Sequence, residues 1–217
     1  HWKHRRQRQM CIRDSPAPRL SAEMIRDNAL AASGLLNNKV GGAPVKPYDI
    51  SVSFKPSTIS KGDDLYRRSL YTYWRQTSPA PMMTTLNASK RDVCRVSLEK
   101  TDSPLQGLVL LNSPQFVEAA RTLAENLVNE YGNDNDAVIS ETYRRLTSRQ
   151  PDQQEWPVLR HLIQEQEKHF ATSPGTAREL ISVGASKAPE TENPARLAAV
   201  TTLVSTVMNF DECITKR

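Results

Sequence analysis

Apolar residues recur at helical spacing through most of the second half of the chain. Phe116, Ala120, Leu123, Leu127 and Tyr131 share one face of a segment opened by Ser113-Pro114 and closed at Gly132. Ile139, Tyr143 and Leu146 stand at i, i+4, i+7 between Asn135 and Arg149, which predicts an antiparallel neighbour across a short loop. Asp152 with Glu155 has capping-box form and opens a helix to about Phe170. Ser173-Pro174 and Asn193-Pro194 start two more, the last burying Leu197, Val200, Leu203 and Val207. Upstream, Ser103-Pro104-Leu105-Gln106 is another capping box, with a short helix expected through Leu111.

The first half is less regular. Ser21 suits an N-cap for a helix carrying Ile25, Ala29, Ala32 and Leu36, and the two Gly and two Pro of Asn37 to Pro47 forbid its continuation. ISVSF (Ile50 to Phe54) reads as one short strand without an obvious partner, and Asp64 to Gln76 reads as a helix with Leu65, Leu70 and several aromatics. The connections from Asn37 to Asp64 and from Thr77 to Thr101 are too rich in Pro, Ser and Lys for regular elements, and are expected to wrap over the helices. The pattern therefore predicts a mostly α fold, an irregular multi-helix domain of six or seven helices with long Pro-rich connections. Eight Gly, few aromatics and no series of alternating strands argue against a sandwich or barrel.

Charge changes the domain map. RRQRQMCIRDS (Arg5 to Ser15) looks like a basic arm, yet RRQRQMCIRD is also the in-frame translation of the adapter and mosaic end of transposase-based sequencing libraries. Residues 1–15 are accordingly expected to be a non-native, adapter-derived and disordered segment, with 16–217 a single helical domain, the C-terminal fragment of a larger metagenomic gene product. Without that segment Lys3, Arg5, Arg6, Arg8 and Arg13 leave the positive count and Asp14 the negative, so 29 against 24 becomes 24 against 23 and the net charge falls from +5 to +1. The electrostatic case for nucleic acid disappears with it. No apolar run approaches a membrane span.

Little chemistry is legible. No nucleophile elbow, P-loop, dinucleotide glycine pattern or metalloprotease helix is present. His161, Glu165 and His169 fall at i, i+4, i+8, a spacing able to present metal ligands, but they lie opposite Trp156, Leu159, Ile163 and Phe170 on a face expected to be solvated, so no metal site is assigned. Cys94 is expected to be a small buried packing residue, and a pairing with Cys213 is left open. Asp27, Asp92, Asp102 and Glu118 are available carboxylates, with nothing to say which converge.

Charges set inside apolar segments stand out: Arg26-Asp27, Arg67-Arg68, Arg91-Asp92-Arg95, and Asn112 between two helices. Buried charge is costly unless paired, so these residues form either a structural network tying the first helix to the middle segment or an anion pocket. In the pocket Arg26, Arg67, Arg68, Arg91 and Arg95 would bind, with Asp27, Asp92 and Asn112 as polar partners.

The segment RRSLYTYWRQTSPAPMMTTLNASKRDVCRVSLEKTDSPLQGLVLLNSPQFVEAARTLAENL (Arg67 to Leu127) resembles the planctomycete-type domain of unknown function 1553, in its RRS-Y-W stretch, its PLQ-L-LLN run and its EAAR. RLSAEMIRDNALAASGLLNNKVGGAPVKP (Arg19 to Pro47) and NPARLAAVTTLVSTVMNFDECITKR resemble other parts of the same family. Val96-Ser97-Leu98 stands where further arginine is frequent, and Gly107 where alanine is usual. The resemblance implies an exported or periplasmic protein in which this domain follows others, sometimes including a cytochrome c-like haem domain, with no cofactor in this fragment. The function implied is a structural or interaction module supporting those upstream domains. The alternative is part of a carbohydrate-active enzyme or binding protein whose arginine-lined pocket takes sulfate or uronate groups of a polysaccharide.

Overall fold

The structure is a computed structural model and describes residues 19–47, 59–75, 79–89, 94, 101, 103–189 and 191–215. Among them are nine α-helices and no strands. The helices are α1 (Ala22–Ser33), α2 (Pro81–Thr85), α3 (Pro104–Asn112), α4 (Pro114–Tyr131), α5 (Asn135–Thr147), α6 (Glu155–Thr172), α7 (Pro174–Ser182), α8 (Pro194–Met208) and α9 (Asp211–Ile214).

The core is organised by α4 and α8. One face of α4 buries Phe116, Ala119, Ala120, Leu123, Ala124 and Leu127. Helix α8 buries Leu197, Ala198, Ala199, Val200, Leu203, Val204 and Val207, which cover nearly its whole circumference, and it packs against α4, α6 and α7. A helix apolar all round belongs at the centre of a bundle. Where the described chain begins it pairs with where it ends: Leu20 N donates to Ile214 O at 2.8 Å, beside an antiparallel bridge between Arg19 and Thr215.

Local signals set most boundaries. Ser21 caps α1 through its hydroxyl, Asp134 caps α5 with bonds to the amides of Asp136 and Ala137, and Asn193 caps α8. Proline opens α3, α4, α7 and α8. In the box at α3, Gln106 Oε1 accepts from Ser103 N at 3.3 Å while its Nε2 donates to Thr85 O at 2.8 Å, so the cap also fastens α2. Glu155 Oε2 accepts from Asp152 N at 2.7 Å as the box predicts, but α6 starts two turn residues later, behind Gln154.

Three expectations are corrected. Helix α1 ends at Ser33, not near Leu36, because Gly34 takes φ 79° and turns the chain back so that Leu36 N bonds Leu30 O. The helix expected from Asp64 to Gln76 is instead two 3-10 turns, Gly62–Tyr66 and Ser69–Tyr71. In a helix Leu65 O would accept from Ser69 N. Here Leu65 O accepts from Arg26 and Ser69 N donates to Asp27, while Tyr66 O is taken by Asn37 N. Side chains of α1 thus outcompete the local helix. The short helices α2 and α9 arise where no helix is expected, α2 inside the Thr77–Thr101 connection. The ISVSF segment and residues 1–15 lie outside the described residues.

Candidate functional site

Arg26 and Asp27 leave α1 side by side and meet the same stretch of chain. Arg26, 2% exposed, donates from Nε to Gln115 Oε1 (2.7 Å), from Nη1 to Arg67 O (2.9 Å) and Ser69 Oγ (3.1 Å), and from Nη2 to Leu65 O (2.7 Å). Asp27 Oδ1 accepts from both the amide and the hydroxyl of Ser69, at 2.8 and 2.7 Å, and lies 3.7 Å from Arg26 Nη1. Burial, more than Asp27 can offset, brings the Arg26 guanidinium down to about 10.

Arg67, also 2% exposed, faces the other way, into the loop after α1. Its Nη1 donates to Ala43 O at 2.9 Å and its Nη2 to Lys39 O at 3.3 Å and to Gly41 O, with the guanidinium 4.1 Å from the Tyr71 ring centre. The Tyr71 hydroxyl in turn accepts from Gly41 N at 2.9 Å. Arg68 is exposed and bonded to Asn38, and Asn112 is exposed at the end of α3. Of the sequence candidates, the structure therefore brings together Arg26, Asp27 and Arg67 through the 65–69 backbone. Arg91, Asp92, Arg95 and Asp102 lie outside the described residues.

Beyond this seam lies a cleft of about 240 Å³, walled by Leu30, Pro47, Ile59, Leu65 and Pro114, with Arg26, Tyr66, Gln115 and Glu118 as its polar groups. Glu118, 4% exposed on α4, accepts on Oε1 from the Tyr66 hydroxyl (2.7 Å), Ala185 N (3.0 Å) and Ser186 N (2.6 Å). Burial and that carboxylate push the Tyr66 phenol up to about 12. Arg121, 1% exposed, stands 4.0 Å from the same oxygen and bonds Ser186 Oγ and Lys187 O. These buried charges of α4 are not signalled by periodicity, because Glu118 and Arg121 sit on a helix face that reads as solvated until the 184–187 loop covers it.

Gly184 makes that cover possible. It has φ 116°, and a Cβ placed there would lie 2.6–2.8 Å from the Glu118 side-chain carbons. Gly184→Ala is expected to cost about 2–4 kcal/mol, combining left-handed strain and overpacking. Thermal unfolding checks it, and a change below about 0.5 kcal/mol, the range of an ordinary surface substitution, would mean that the loop is not seated on Glu118.

The other candidates are plainer. His161 and Glu165 are 69% and 60% exposed and 3.4 Å apart, His169 is exposed, and no group of metal-ligating residues converges among the described residues. Cys94 is exposed, correcting the expected buried role, since position 94 belongs to no element that would carry it into the core. Cys94 and Cys213 are both free. The Cys213 thiol contacts Val207 O at 3.2 Å, and burial, with Glu212 adding to it, raises its pKa to about 12. In mildly alkaline buffer, mass spectrometry should find Cys94 alkylated in the native protein and Cys213 alkylated only on unfolding, because the thiolate is the reactive form.

The family model described as "Protein of unknown function (DUF1553)", PSD1, matches residues 3–163. The chain belongs to this family. No curated protein and no solved structure matches it. The matched DUF1553 range contains the whole Arg26–Asp27–Arg67 seam and Glu118, but not Gly184 or α8, so the packed unit runs past it. At Gly107 an alanine would fit: its Cβ would lie 3.6 Å from the Asn209 side chain, an ordinary contact.

Proposed function

We propose that this DUF1553 domain is a structural and interaction module, supporting other domains of an exported protein, and that its buried arginines hold its own backbone. The observation that carries the reading is the destination of the guanidinium hydrogens. Arg26 and Arg67 together address the carbonyls of Leu65 and Arg67, which belong to buried residues, and of Lys39, Gly41 and Ala43 in the exposed loop after α1. An anion pocket needs those hydrogens facing an open cavity.

The interaction reading is supported by α3, where Leu105, Leu108 and Leu111 are 59%, 54% and 40% exposed at i, i+3, i+6. A contiguous apolar stripe on a helix supports an interaction role. The test is two-fold. Calorimetry with sulfated and uronate-bearing oligosaccharides should show no binding, and hydroxyl-radical labelling of the three leucines should fall in the longer protein relative to this chain. Micromolar oligosaccharide binding that Arg67→Ala abolishes while the fold persists would establish the carbohydrate reading instead.

A further inference from the structure

Two residues lining the cleft beside the arginine seam each carry a hydrogen-bonding position for which the described residues supply no partner. A guanidinium has five N–H groups. Arg26 gives four of them to Gln115, Arg67, Ser69 and Leu65, leaving one Nη2 hydrogen without an acceptor among the described residues. Glu118 receives all three of its hydrogen bonds on Oε1, so Oε2 has no donor among the described residues. Both side chains line the same cleft.

The two charges restrict what can enter. A simple anion would meet the Glu118 carboxylate, and a simple cation would meet Arg26, in a partly desolvated space where like charges repel strongly. A molecule bearing both signs satisfies both positions. The walls of Leu30, Pro47, Ile59, Leu65 and Pro114 are aliphatic and suited to a branched hydrocarbon, with Tyr66 the one aromatic residue of the lining. At ~30 Å³ per water-sized group the volume holds roughly eight such groups, the size of one amino acid and too small for an oligosaccharide.

We propose that this cleft binds a free aliphatic α-amino acid as its zwitterion. The ammonium donates to Glu118 Oε2, the carboxylate accepts the remaining Arg26 Nη2 hydrogen, and the side chain lies among Leu30, Ile59 and Leu65. The site is separate from the structural role of Arg26, which needs only its other four hydrogens.

L-leucine is the probe, titrated into the whole chain by calorimetry beside N-acetyl-L-leucine, which keeps only the negative charge, and L-leucinamide, which keeps only the positive one. Two variants accompany it. Glu118→Gln preserves the Oε1 acceptor and replaces Oε2 with an amide donor, and Ile59→Trp, at a rim position 43% exposed, fills the cleft without touching the hydrogen-bonded seam. The expected result is saturable binding of leucine, roughly tenfold or more tighter than either analogue, and lost in both variants, with the melting temperature kept in Ile59→Trp. No binding of leucine, equal or better binding of one single-charge analogue, or leucine binding that survives Ile59→Trp would overturn the proposal. None of these outcomes bears on the oligosaccharide and labelling tests of the module's function.

Discussion

A chain ending at Ser182, which keeps the entire matched family range and α7, is expected not to fold. It lacks α8, whose Leu197, Val200, Leu203, Val204 and Val207 are 0–2% exposed against α4, α6 and α7. Burying an aliphatic side chain contributes about 1.5–3 kcal/mol, so five contribute roughly 7–15 kcal/mol, comparable with the whole stability of a domain, about 5–15 kcal/mol. The facing Leu123, Leu127 and Ile163, each 0% exposed, would be opened to water at the same time. Circular dichroism and amide exchange check it. A cooperative unfolding transition in the shortened chain would show that the core is complete without α8.

Arg26→Ala should be the most damaging single substitution in the seam. Removing the guanidinium leaves Leu65 O and Arg67 O without their donor and deprives Gln115 of its partner, in a position 2% exposed. Each orphaned buried group costs about 1–3 kcal/mol, and breaking a buried charged contact about 3–5 kcal/mol in all, so a loss of about 3–5 kcal/mol is expected. Urea unfolding reads it as a lowered midpoint with little change in slope. Arg68→Ala is the matched control: Arg68 is exposed on Asn38, and its loss should fall within about 0.5 kcal/mol. Equal effects of the two substitutions would remove the distinction between a buried seam and a solvated surface.

The residues explain what could be read beforehand. Helices α3, α4, α7 and α8 announce themselves because Ser-Pro and Asn-Pro fix their starts and an apolar face at period 3.6 fixes their course. The 62–71 stretch carries the same kind of apolar and aromatic residues, but its carbonyls and amides are claimed by Arg26, Asp27 and Asn37 from some 30–40 positions earlier, a competition no local window contains. For the same reason the pairing of Arg26 and Asp27 with the middle segment is suggested by buried charge, while its acceptors, mostly main-chain oxygens, carry no side-chain signature. Glu118 is named among the available carboxylates, but its burial and partners, and Arg121 altogether, escape notice because the loop that buries them is a backbone feature hinging on Gly184.

The buried guanidiniums of Arg26 and Arg67 give nearly all their hydrogens to the protein's own groups, mostly main-chain carbonyls, and do not form an arginine-lined pocket for sulfate. Nitrogen-detected NMR of the arginine side chains tests it most directly, in the ligand-free protein and again with excess sulfate. Expected are slowed rotation and protected hydrogens for Arg26 and Arg67, a freely rotating Arg68, and no change on adding sulfate. Free rotation of Arg67, or a sulfate-dependent shift of its Nη signals, would contradict the claim.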